Sequence, residues 1–132
     1  MTLPLGTSLL TVWSPLLPES EDVNENGLII EASQDDFEAF ILGDAPSKAE
    51  KALIASSPMP DAEVLFVAHH GSNTSTCKEL LEAITPETAV ISVGYNTYGH
   101  PTQKVLDRLA KYDITVLRTD TDGEITIAAG EG

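Results

Sequence analysis

Cysteine is nearly absent: Cys77 is the only one in 132 residues. A single thiol excludes an intrachain disulfide, and it excludes a zinc cage built from several cysteines. Basic residues are scarce too. Seven Lys and Arg face 21 Asp and Glu, a formal net charge of -14. Such a surface repels phosphate backbones unless cations intervene. Solubility or a salty environment would account for the imbalance alone. If nucleic acid is the substrate, a metal site or further chain must receive it. No apolar run reaches the roughly 18 residues that a membrane-spanning helix needs. The opening MTLPLGTSLLTVW has neither a basic region nor a small-residue cleavage site, so it does not read as a secretion signal.

What is present is enough for a core. The hydrophobic fraction is 42% and the mean hydropathy -0.01, values of a folded chain rather than a disordered one. The length suits one domain over residues 1–132. The pattern predicts strands at 7–13, 28–32 and 37–42, with a Pro- and Gly-punctuated loop, SPLLPESEDVNENG, after the first. A helix is expected at 46–55. Continuous apolar runs predict buried strands at 63–68 and 88–93. Helices follow at 77–84 and 102–112. Thr76 and Glu79 have capping-box spacing for the former. Strands at 114–117 and 124–128, joined by the turn DTDG, would close the chain as a hairpin. Three opening strands and then alternating strands and helices imply an α/β fold with a mixed sheet and flanking helices.

Three segments carry polar residues where a strand hands over to a helix. They are ILGDAP with Asp44, VAHHGS with His69, His70 and Ser72, and YGHP with His100. In α/β folds ligands bind along that edge, because the loops converge there. Pro46 and Pro101 fit the first turn of a helix, where a missing N–H costs nothing. An Asp with neutral imidazoles suits zinc, manganese or iron. The long spacings carry no local metal signature, however. Taken singly, Asp44 and His100 read equally well as helix caps, and the histidine pair as a turn. Cys77 reads as a small buried helix residue with no strong activating neighbour. Tyr95 and Tyr98, beside His100, read as packing residues or as the lining of a cleft.

Together these segments resemble a known family. FILGDAP, the stretch from DAEVLFVAHHGSNTSTC through SVGYNTYGHPTQ to RTDTDGEITI and, more weakly, NENGLIIEA are similar to the metallo-β-lactamase fold. Within it, the likeness is to the hydrolase domain of ComEC/Rec2-type DNA-uptake proteins, over residues 13–127. The resemblance implies the C-terminal half of a metallo-β-lactamase αββα sandwich. It implies two divalent metals, zinc or manganese, in the complete domain. Asp44 maps onto the bridging ligand, and His69 or His70 onto the last histidine ligand. His100 maps onto a general acid or substrate contact, while Ser72, Asn73, Thr74 and Tyr98 would line the substrate path.

The family's H-x-H-x-D-H signature, which brings most of the ligands, does not occur here. The expectation is therefore a partial domain that is inactive and possesses no full metal site by itself. Its parent would hydrolyse phosphodiesters of nucleic acid, single-stranded DNA in particular, as the extracytoplasmic part of a membrane protein. The open half-sandwich would seek the missing half or a second copy. The alternatives are a non-catalytic interaction or scaffold domain that retains the fold, and another hydrolase of the superfamily.

Overall fold

In a computed structural model, residues 1–14, 21 and 23–129 are described. Among these described residues seven strands form one sheet in chain order. They are β1 (Thr2–Leu5), β2 (Ser8–Ser14), β3 (Ile29–Gln34), β4 (Phe37–Ile41), β5 (Val64–Phe66), β6 (Thr88–Ile91) and β7 (Thr115–Arg118). Strands β1 to β4 pair antiparallel. Strands β4 to β7 pair parallel. Parallel neighbours need crossovers, and helices supply them: α1 (Ser47–Ser56), α2 (Lys78–Ile84) and α3 (Gln103–Lys111). A short α4 (Thr119–Asp122) follows β7. The mixed α/β sheet with flanking helices expected from the sequence is the observed architecture.

Side chains alternate between the faces of a strand. Phe40, Leu65, Ala89 and Ile91 point to one face and join Leu53 of α1, Leu80, Leu81 and Ile84 of α2, and Val105 and Leu109 of α3 in the main core. Ala39, Val64 and Val90 point to the other face. There they meet Phe37, Phe66, Ile125 and Ile127 in a smaller cluster. All three crossover helices thus pack on one face, and the C-terminal segment lies against the other.

Several expectations fail, each for a local reason. Residues 124–128 form no strand. Thr119–Asp122 is a short helix instead, with the Arg118 N–H donating to the Asp122 carboxylate at 2.7 Å. Gly123, at φ 75°, then turns the chain away, so no hairpin forms. Strand β1 was not among the expected elements, and it contains Pro4, which cannot donate to a ladder. It is tolerated because β1 is the outer edge of the sheet. Residues 15–20 and 22 of the expected loop lie outside the described residues, and Val23–Asn26 forms a 3-10 turn.

The prolines are not first-turn residues. Pro46 is the N-cap of α1, and Pro101, in a cis bond, precedes the true cap Thr102 of α3. Asp44 and His100 therefore cap neither helix. The capping box at α2 is also absent. Cys77 is the N-cap and makes no side-chain cap bond. Glu50, reaching over from α1, accepts the Thr76 N–H at 2.7 Å and the Cys77 N–H at 2.8 Å. No helix among the described residues is long and apolar enough to cross a membrane.

Candidate functional site

The loops that leave β4, β5 and β6 lie at the carboxyl ends of the parallel strands. Backbone hydrogen bonds lock them together. The first loop carries Asp44. Its Gly43 carbonyl accepts the His69 N–H at 2.8 Å, and Ser47 N–H donates to the Thr74 carbonyl at 2.8 Å. The Ser75 hydroxyl donates to the Ala45 carbonyl at 2.8 Å. The third loop joins through Thr102, whose N–H donates to the Gly71 carbonyl at 3.0 Å. Gly71 has to be glycine. Its φ is +85°, and a Cβ there would stand 2.5 Å from Cβ of Pro101.

His69 and His70 sit in this frame with φ of 51° and 55°. Two successive side-chain-bearing residues in the left-handed region store strain on the order of 1–3 kcal/mol each. Such strain persists only where surrounding contacts over-determine it, as the interlocked loops do here. It aims both imidazoles out of the strand end. The His70 ring bonds through Nδ1 to the Ser92 carbonyl at 2.6 Å. A carbonyl only accepts, so Nδ1 carries a proton, and in a neutral ring Nε2 is the acceptor nitrogen. The rings of His69 and His70 are 6.5 Å apart, and those of His69 and His100 are 5.7 Å apart, both edge-on.

His100 is held by Asn96. The Asn96 amide donates to the His100 carbonyl at 2.8 Å, and its oxygen accepts the His100 N–H at 3.0 Å. The same oxygen accepts the Tyr98 N–H at 3.1 Å. The Tyr98 ring lies 5.9 Å from that of His100, tilted by 32°. Ser72 is buried, with its hydroxyl bonded to that of Thr74 at 2.9 Å. Asn73 and Thr74 are exposed at the loop tip, and Asp44 is exposed on its own loop.

The structure thus gathers the three histidines and brings the Asp44 loop onto theirs. It does not gather a metal donor set. Among the described residues no group of three His, Cys, Asp or Glu is placed to hold an ion. These residues do not by themselves fit a two-metal centre. Cys77 is buried, and burial together with nearby Glu50 pushes its thiol up to about 12, so it stays a neutral packing group.

Sequence reasoning missed the two charges that shape the central loop. Glu50 is fully buried. Burial pushes its carboxyl upward, and the N–H groups of Cys77 and Thr76, with Arg108, pull it back. Arg108 of α3 donates to the Ser75 and Thr76 carbonyls at 3.3 and 2.7 Å. The available signal was Glu50 lying three residues before Leu53, on the apolar stripe of α1. A carboxylate in that position needs a buried partner.

No family model matches the chain. Curated relatives do. It is 38% identical over 115 residues to ComE operon protein 3 of Bacillus subtilis, which covers 86% of this chain and 15% of the relative. It is 35% identical over 118 residues to competence protein ComA of Neisseria gonorrhoeae, covering 86% and 17%. Recombination protein 2 of Haemophilus influenzae is 32% identical over 105 residues, covering 79% and 13%. The chain therefore spans about a sixth of the length of these relatives. A solved Parabacteroides distasonis protein assigned as a metal-dependent hydrolase superposes with a TM-score of 0.55 at 15% identity, over 89% of this chain and 54% of that one. At that identity the likeness is one of fold.

Proposed function

We propose that this chain is one part of a metal-dependent hydrolase domain that cleaves nucleic-acid phosphodiesters, single-stranded DNA foremost, in a DNA-uptake protein. The observation that carries the reading is the cluster of His69, His70 and His100 on three interlocked loops at the carboxyl edge of a parallel sheet. The relatives named for competence and recombination support the biological setting, and the fold likeness supports the hydrolase class. In this reading Asp44 and one of His69 and His70 are donors toward divalent metal, zinc or manganese, and residues outside this chain complete the set. When bound, the metals would supply charge neutralisation at phosphorus.

The chain's own contribution is positional. Asn96 holds the His100 backbone, which sets the imidazole beside the His69 ring, where it serves as proton donor to the leaving oxygen. Such help is worth ~10²–10⁴ in rate. Ser72 and Thr74 shape the loop tip, and Asn73 meets the substrate there. A second reading, a non-catalytic scaffold, is favoured by the lack of a three-donor group among the described residues.

The deciding experiment uses a protein that carries this chain together with the remaining donors, assayed for bound metal and for hydrolysis of a phosphodiester. Asp44→Ala loses metal and activity together. His100→Ala keeps metal and loses ~10²–10⁴ in turnover. A His100→Ala variant that loses metal makes His100 a ligand. One that changes neither quantity removes it from the chemistry, and an unaltered protein that neither binds metal nor hydrolyses the phosphodiester favours the scaffold reading.

A further inference from the structure

The loop between β6 and α3, GYNTYGHP, contains the most conspicuous apolar exposure near the histidines. Tyr95 is 99% exposed and Tyr98 is 82% exposed. Aromatic rings usually bury most of their area, because that area is their main contribution to a fold. These two contribute nothing to either core cluster. The loop that bears them is nonetheless tied down. Asn96 bonds to Gly94, Tyr98 and His100, closing residues 94–100 around one side chain. Tyr98 is thus displayed next to the His100 ring, 5.9 Å away.

Charge narrows what such a surface can receive. The segment 92–102 contains no Lys or Arg. Of the nearby cations, Arg108 is committed to the Ser75 and Thr76 carbonyls, Arg118 is paired with Asp120 at 2.7 Å, and Lys104, exposed in the first turn of α3, is a single charge rather than a groove. On a chain of net charge -14, a basic groove that tracks phosphates is not available. Stacking against a base needs no charge, because every base has a π-face. It requires an unpaired base, since a base within a duplex is already stacked on its neighbours.

We propose that Tyr98, with Tyr95 three residues before it, forms a stacking surface for unpaired bases beside His100. The proposal rests on the nucleic-acid reading above and adds to it the way the substrate is gripped. The grip is through bases rather than phosphates, so single strands are taken and duplexes refused. Because few phosphates are neutralised and added salt screens the repulsion between an acidic chain and phosphates, binding should not weaken with added monovalent salt, in contrast to a basic groove.

The test is equilibrium binding without divalent metal, by fluorescence anisotropy of a labelled short oligothymidylate. An abasic oligomer with the same number of phosphates and a duplex of the same length serve as probes of the two halves of the claim. Tyr98→Ala should weaken oligothymidylate binding about 5- to 150-fold, the range for loss of one stacked base. Tyr98→Phe should bind as the unaltered chain does, because the ring face is kept. The abasic oligomer and the duplex should bind the unaltered chain as weakly as oligothymidylate binds Tyr98→Ala. Three results overturn the proposal: no binding of oligothymidylate by the unaltered chain, equal binding of the abasic oligomer, or unchanged affinity in both Tyr98→Ala and Tyr95→Ala. The readout involves neither metal nor turnover, so its failure is distinguishable from failure of the hydrolytic reading.

Discussion

The sheet is parallel on one side of β4 and antiparallel on the other, and the two sides differ in how completely they exclude water. On the parallel side Phe40, Leu65, Ala89 and Ile91 are fully buried under three helices. On the antiparallel side all four residues of β1 are exposed, and Leu3, Leu5 and Leu9 remain 45%, 64% and 46% accessible. Chemistry follows burial. The parallel side needs crossovers, crossovers make loops at the strand ends, and the loops collect Asp44, His69, His70 and His100. Antiparallel strands joined by short turns offer no such gathering edge. The parallel side therefore carries the candidate residues, and the other side offers surface.

The most damaging test of this contrast removes the centre of the buried side. Phe40 is the largest of the fully buried side chains. Phe40→Ala deletes its ring and leaves a cavity, at an expected cost of about 3–5 kcal/mol. The measurement is the shift of the urea unfolding midpoint at constant slope. A loss below about 1 kcal/mol would mean that the parallel side is not the stabilising core.

Next in size is Glu50, which ties the core to the site. Glu50→Ala strands two buried N–H groups, those of Thr76 and Cys77, each costing about 1–3 kcal/mol. Removing the cost of a buried carboxylate offsets part of this, so a net loss of about 2 kcal/mol is expected. The pH dependence is the sharper readout. Burial raises the Glu50 pKa above 4.5, against the pull of the Cys77 and Thr76 N–H groups and of Arg108. Between 4.5 and the raised value the folded chain binds more protons than the unfolded one. The Glu50 contribution is thus fully present below 4.5 and is lost as pH rises through the folded value. In Glu50→Gln that slope disappears. A difference curve between the two proteins that rises with pH, or stays flat, would sink the assignment.

These features also show what a sequence can and cannot reveal. Strands β5 and β6 were legible because their apolar runs are continuous, β4 from its apolar content, and α3 because Val105 and Leu109 share a face. The strand-to-helix position of all the candidate residues was legible for the same reason. The hairpin at 124–128 was misread because alternation near Ile125 and Ile127 reflects packing on the open face of the sheet rather than pairing. The cap of α2 was misread because its partner, Glu50, is 26 residues away from Thr76. Local spacing cannot register a bond supplied by another helix. The backbone strain at His69 and His70 has no signal in composition either, since it comes from loops closing around them.

The smallest expected effect lies at the far edge. Leu3 of β1 stands opposite Leu10 of β2, and among the described residues β1 has no neighbour on its outer side. At 45% exposure Leu3 has already forgone much of the transfer free energy that burial would give. Leu3→Ser should then change stability by less than about 0.5 kcal/mol, the usual range for surface positions. The comparison with Phe40→Ala is internal, in the same sheet and by the same urea titration. If Leu3→Ser costs more than about 1 kcal/mol, β1 is a cooperative part of the core rather than a surface strand. The division between a buried parallel side and an open antiparallel side would then fail at its weakest point. If the cost is small and the unfolding slope is unchanged, β1 contributes area without stability, and the free energy that holds the histidine loops is generated on the parallel side alone.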